Sequence, residues 1–132
     1  MGYSVGDELE RKLSCEITKE QIAEYSRVSN DPNPMHVDEE LAQSAGHPTV
    51  FAQGMLSMAL LTKYIQEIAG LGSIARVKCQ FRHMTWPGEK IYCMGTVTEV
   101  KEEGGKTLVT ADIRTETEEG MPRVLGDVAF YA

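Results

Sequence analysis

The stretch from Gly54 to Ala69 constrains this chain more than any other. Met55, Leu56, Met58, Ala59, Leu60, Leu61, Tyr64, Ile65 and Ile68 fall on nearly every face of a helix. A helix that is apolar all round must be buried on most sides. Gly70-Leu71-Gly72 ends it, and the rest of the chain reads as strand: 73–84, 89–101, 107–116 and 123–131. The third of these alternates, with Leu108, Thr110, Asp112 and Arg114 on one face and Val109, Ala111, Ile113 and Thr115 on the other. Glu103-Gly104-Gly105 and Glu119-Gly120 supply hairpin turns. Four antiparallel strands behind one buried helix imply an α+β fold with the sheet wrapped around that helix.

Upstream, residues 8–16 alternate loosely and predict a leading strand. Thr18-Lys19-Glu20-Gln21 has the form of a capping box and opens a helix over 19–28, with Ile22, Tyr25 and Val28 as its apolar stripe. Asp38 is placed to cap a short helix over 39–45, stopped by Gly46. With 132 residues and neither repeat nor linker, the chain is expected to form one domain, residues 1–132.

Between the first two helices lies Asp31-Pro32-Asn33-Pro34-Met35-His36-Val37-Asp38, the densest cluster of reactive groups in the chain. Each proline fixes its own φ and pushes the residue before it out of the helical region, so Asp31 and Asn33 should be extended. A kinked segment of this kind can aim Asp31 and His36 at one point. A carboxylate and an imidazole converging on one water are what addition and elimination chemistry requires. The same residues have plainer readings. Asp31 and Asn33 are good turn formers, and His36 could be a satisfied, partly buried side chain.

Composition narrows the partners. A net charge of −7 argues against nucleic acid, which needs clustered Lys and Arg. Cys15, Cys79 and Cys93 lack CxxC spacing and read as reduced thiols. Asp31, His36 and Asp38 could offer oxygen and nitrogen to a metal, but no second His or helical spacing supports one, and neither metal nor cofactor is expected. The first seven residues show no basic or apolar leader. The 50–68 stretch is interrupted by Gln53, Ser57, Thr62, Lys63, Gln66 and Glu67, too polar to cross a bilayer. A soluble, cytoplasmic protein is the expectation.

Tyr25-Ser26, Ser29, Asp31, Asn33-Pro34, His36 and Asp38, together with Gln53-Gly54-Met55-Leu56, resemble the MaoC-like, R-specific enoyl-thioester hydratases. The likeness extends to the small β-hydroxyacyl dehydratase subunits of fatty-acid synthesis. It covers essentially the whole chain and implies the hot-dog fold, an antiparallel five-stranded sheet wrapped around a long central helix. It also implies hydration of a trans-2-enoyl thioester of coenzyme A or acyl carrier protein to the (3R)-3-hydroxyacyl form, or the reverse.

Carried over by position, the family's catalytic aspartate falls on Asp31 and its histidine on His36. The glycine whose N–H bonds the thioester carbonyl falls on Gly54. Asn33, Pro34, Gln53, Met55 and Ser57 are the expected substrate contacts around them. Gln53 stands where relatives often carry His, which implies a changed pocket rather than lost chemistry. Hot-dog relatives pair their sheets, so a homodimer, or a heterodimer with another hot-dog subunit, is implied. An acyl thioesterase and a non-catalytic acyl-thioester-binding subunit are the rival functions.

Overall fold

The structure, a computed structural model, describes residues 2–31 and 33–132. Pro32 lies outside the described residues. The chain runs β1 (Glu8–Glu16), α1 (Lys19–Ser29), a 3₁₀ turn (Pro34–His36), α2 (Glu39–Ser44), α3 (Gly54–Ala69), β2 (Ile74–Phe81), β3 (Lys90–Glu103), β4 (Lys106–Glu116) and β5 (Pro122–Tyr131). The strands form one antiparallel sheet in the order β1-β3-β4-β5-β2. The β3–β4 hairpin turns through Gly104 and Gly105 at φ +59° and +80°, the pair of positive angles that a tight two-residue connection requires.

The sheet curls around α3. Leu61, Tyr64 and Ile65 pack into its concave face against Val97, Val109, Ala111, Ile113, Val124, Val128 and Phe130. A second cluster joins Leu56 to Ile17, Ile22, Ala52 and Ile91, fastening α1 to the start of α3. Each fully buried Leu or Ile contributes on the order of 1.5–3 kcal/mol of transfer free energy. Curvature comes from irregular register in the β1–β3, β3–β4 and β2–β5 pairs, and from two glycines. Gly95, Ile113, Gly126 and Cys79 lie in register across the sheet. A β-carbon at Gly95 would stand 2.5 Å from the Asp112 carbonyl oxygen, and one at Gly126 2.3 Å from that of Lys78. Neighbouring backbones there approach too closely for any side chain.

Most predicted elements match within a few residues, and Val109, Ala111, Ile113 and Thr115 do form the buried face of β4. Three expectations need correction. Val28 is 61% exposed and takes no part in the α1 stripe, because the last turn of α1 projects past the core. The capping box is half made: Thr18 Oγ1 accepts from Gln21 N–H, but the Gln21 side chain turns to Cys15 Sγ at 3.6 Å. α3 is buried on one side only, with Met55 55% exposed and Ala59, Lys63, Glu67 and Ile68 also open. A single curled sheet covers one flank of a helix, whatever residues occupy the other. Among the described residues, no helix is long and apolar enough to cross a membrane.

Candidate active site

Local hydrogen bonding shapes the segment after α1. Asn30 ends the helix at φ +56°, and Asp31 N–H donates back to Ser26 O at 3.0 Å. Asp31 Oδ1 accepts from Asn33 N–H at 3.1 Å, and Asn33 Oδ1 accepts from Met35 N–H at 3.1 Å. Asn33 has the extended backbone its place before Pro34 predicts, and it caps the 3₁₀ turn that carries His36. Asp38 accepts from Leu41 N–H and caps α2 as expected.

This turn brings the imidazole under the Asp31 carboxylate. His36 Nε2 stands 3.9 Å from Asp31 Oδ2, too far for a direct hydrogen bond. The other ring nitrogen, Nδ1, lies 2.7 Å from Phe51 O. A carbonyl can only accept, so in the neutral ring Nδ1 carries the proton and Nε2 presents its lone pair toward Asp31. Two acceptors with a gap of this size can both receive from a single donor with two hydrogens. His36 is buried, and its ring packs edge-on against Phe51 at 5.0 Å between centroids.

Phe51 joins this pair to a cavity of about 300 Å³ at the start of α3. Its walls are Phe51, Ala52, Gly54, Ser57, Phe81, Arg82, His83, Met84, Thr85 and Val124. Gln53 makes no side-chain cap, so the Gly54 and Met55 N–H groups remain available at the positive end of the helix dipole. A β-carbon at Gly54 would lie 3.0 Å from Cγ of Phe81, so glycine leaves room there for a ligand or for the ring.

The sequence-derived residues therefore divide. Asp31 and His36 come together, and Gly54 and Ser57 line the cavity on the other side of Phe51. Asn33 and Pro34 build the turn, exposed and outside the cavity walls. Met55 is exposed and is not among the cavity walls, and Gln53 is buried with its amide turned to α1. Phe51, Phe81, Met84 and Thr85 were missed. The end of β2 and the connection that follows it bring the last three to residues 51–54, and no local pattern in the sequence marks them. His47, beside Pro48, packs against Phe51 and Trp86 as part of an aromatic group behind the cavity. Among the described residues, no group of three His, Cys, Asp or Glu is placed to hold a metal.

The chain is similar to several known proteins. The chain is 26% identical over 118 residues to the (R)-specific enoyl-CoA hydratase of Aeromonas caviae, covering 88% of this chain and 87% of that protein. It is 30% identical over 102 residues to the peroxisomal hydratase-dehydrogenase-epimerase of Neurospora crassa, covering 77% of this chain but only 10% of that much longer relative. The solved R-hydratase PhaJ1 of Pseudomonas aeruginosa superposes with a TM-score of 0.85 at 25% identity, over 98% of this chain and 82% of that one. The wrapped sheet is thus the hot-dog fold. The family described as MaoC like domain matches from residue 2 to residue 119, and the chain belongs to that family.

Proposed function

We propose that this chain is a hydratase/dehydratase interconverting trans-2-enoyl and (3R)-3-hydroxyacyl thioesters, carried on coenzyme A or acyl carrier protein. The observation that carries the reading is the 3.9 Å gap between His36 Nε2 and Asp31 Oδ2, with Nδ1 committed to the Phe51 carbonyl. One water donating to both acceptors would be held with its oxygen lone pairs free. As that oxygen bonds to Cβ, the pair takes a proton from water and returns one to Cα, so the double bond gains the elements of water. Charge building on the thioester oxygen would be met by the Gly54 N–H at the start of α3. The acid–base pair would supply roughly 10²–10⁴ in rate and one oxyanion donor about 10²–10³. Ser57 would contact the acyl group from the cavity wall.

A dimer suits this reading. Among the described residues β2 is paired on one side only, by β5, and it ends at Phe81, which is 51% exposed beside the cavity. Phe81 and Met84 are exposed apolar residues of the cavity wall, Phe81 at the end of an open edge strand. A second copy, or another hot-dog subunit, would cover these residues and the edge. Light scattering is expected to give at least twice the chain mass.

Purified protein offered short, medium and long trans-2-enoyl thioesters tests the function. The expected result is reversible loss of enoyl absorbance with a (3R)-hydroxyacyl product and no free thiol. Thiol release instead would identify a thioesterase, and binding without turnover a non-catalytic subunit; either would overturn the proposal.

A further inference from the structure

The three residues leading into α3 are each held by a different part of the fold. The Phe51 carbonyl accepts from His36 Nδ1 at 2.7 Å, and Ala52 N–H donates to Thr85 O at 2.9 Å. Gln53 Nε2 donates to Ile22 O at 3.0 Å and to Ser26 Oγ at 2.6 Å. Ser26 is thus shared: its hydroxyl takes the Gln53 amide, and its carbonyl takes Asp31 N–H at 3.0 Å. Gln53 is 2% exposed, and its Oε1 is buried with no partner among the described residues. Turning the amide over would set that oxygen against the Ile22 carbonyl, acceptor to acceptor, so the orientation is fixed.

We infer that Gln53 is a positioning residue that sets the Asp31 carboxylate relative to the Gly54 N–H by clamping the last turns of α1 to the start of α3. The inference rests on the hydratase reading and gives Gln53 a role other than substrate contact. Asp31 lies two residues past the end of α1, so any slide or rotation of α1 carries its carboxylate along. Gly54 is bonded directly to Gln53, so its N–H moves with Gln53. The hydrophobic contact of Ile22 with Leu56 holds the two helices together, but apolar packing tolerates small slides that a pair of directed hydrogen bonds does not. The amide therefore ties the water-activating side of the site to the carbonyl-binding side, which the Phe51 ring otherwise separates.

The test compares enoyl-thioester hydration by Gln53→Leu, Gln53→His and Ser26→Ala, each alone and combined with Asp31→Asn, with thermal midpoints recorded. Gln53→Leu is expected to lower kcat by about tenfold or more with KM within about threefold, since misplacement near 1 Å costs up to roughly 10². Gln53→His, which can still donate one hydrogen bond, is expected to recover most of that loss, with Ser26→Ala in between. In the Asp31→Asn background the Gln53→Leu loss is expected to shrink to less than about twofold, because the group being positioned is gone. An equal loss in both backgrounds, a rise in KM alone, or unchanged kcat in folded Gln53→Leu would overturn the inference. If Gln53→Leu does not fold, Ser26→Ala decides by the same criteria. Wild-type protein without enoyl turnover would sink the hydratase reading itself. Asp31-dependent turnover that ignores Gln53 would sink only this inference.

Discussion

The Phe81 ring lies against Gly54 so closely that a β-carbon there would stand 3.0 Å from its Cγ and Cδ2. The contact is with the side of a half-exposed ring, which can swing outward, and Gly54 has no positive φ to strain an alanine. Gly54→Ala is therefore expected to leave the thermal midpoint within a few degrees, about 1 kcal/mol or less. The added methyl stands beside the N–H proposed to receive the thioester oxygen, so kcat/KM should fall by about 10–10². Full activity in a folded Gly54→Ala variant would remove Gly54 from the mechanism.

Asp31 and His36 face one gap and are proposed to act as a unit on one water. Asp31→Asn and His36→Ala are each expected to lower kcat by at least about 10³, and the double variant by little more than either single one. Circular dichroism should be unchanged, since Asp31 is partly exposed and its bond to Asn33 N–H can be kept by an amide oxygen. Near wild-type turnover of a crotonyl thioester by either single variant would contradict the assignment.

Gly126 provides the opposite case to Gly54. A β-carbon there meets the Lys78 carbonyl oxygen at 2.3 Å and Cys79 Sγ at 3.0 Å, and strand backbone cannot swing aside. Gly126→Ala should cost about 2–3 kcal/mol in urea unfolding, by forcing β2 and β5 apart. A cost as small as that at Gly54 would show that the sheet relaxes more readily than its geometry implies.

Burial of a thiol makes stability fall at alkaline pH. The Cys93 thiol lies in the core, and desolvation pushes it up to about 12 from the ordinary 9.0. The unfolded thiol ionises first, so between about pH 9 and 12 the unfolded chain has lost a proton that the native one retains, and stability falls as pH rises. Below that window both states are protonated and the contribution is flat. One such group gives a slope of at most about 1.4 kcal/mol per pH unit. Tyr64, also raised by burial, with its hydroxyl donating to the Glu10 carbonyl, adds in the same direction above its ordinary 10.0. Urea unfolding against pH should decline above about 9, and Cys93→Ala should flatten the first part of that decline. Parallel declines for both proteins would assign the effect elsewhere.

The elements and the reactive groups were legible in the residues themselves. The apolar run 54–69, the alternation in β4 and the paired glycines at 104–105 specify helix, strand and turn through local periodicity and backbone freedom, which need no distant partner. The Asp31-to-His36 segment announced a carboxylate and an imidazole on one bend because short-range turn chemistry builds that bend. Contacts between residues far apart in the chain settled the remainder. Packing left one flank of α3 open and Val28 exposed, since a sheet curled round a helix covers only the side it faces. It brought Phe81, Met84 and Thr85 to residues 51–54, and it turned Gln53 away from the cavity toward α1. A buried amide goes where unpaired carbonyls are, and only the packing of α1 beside α3 puts the Ile22 carbonyl within its reach.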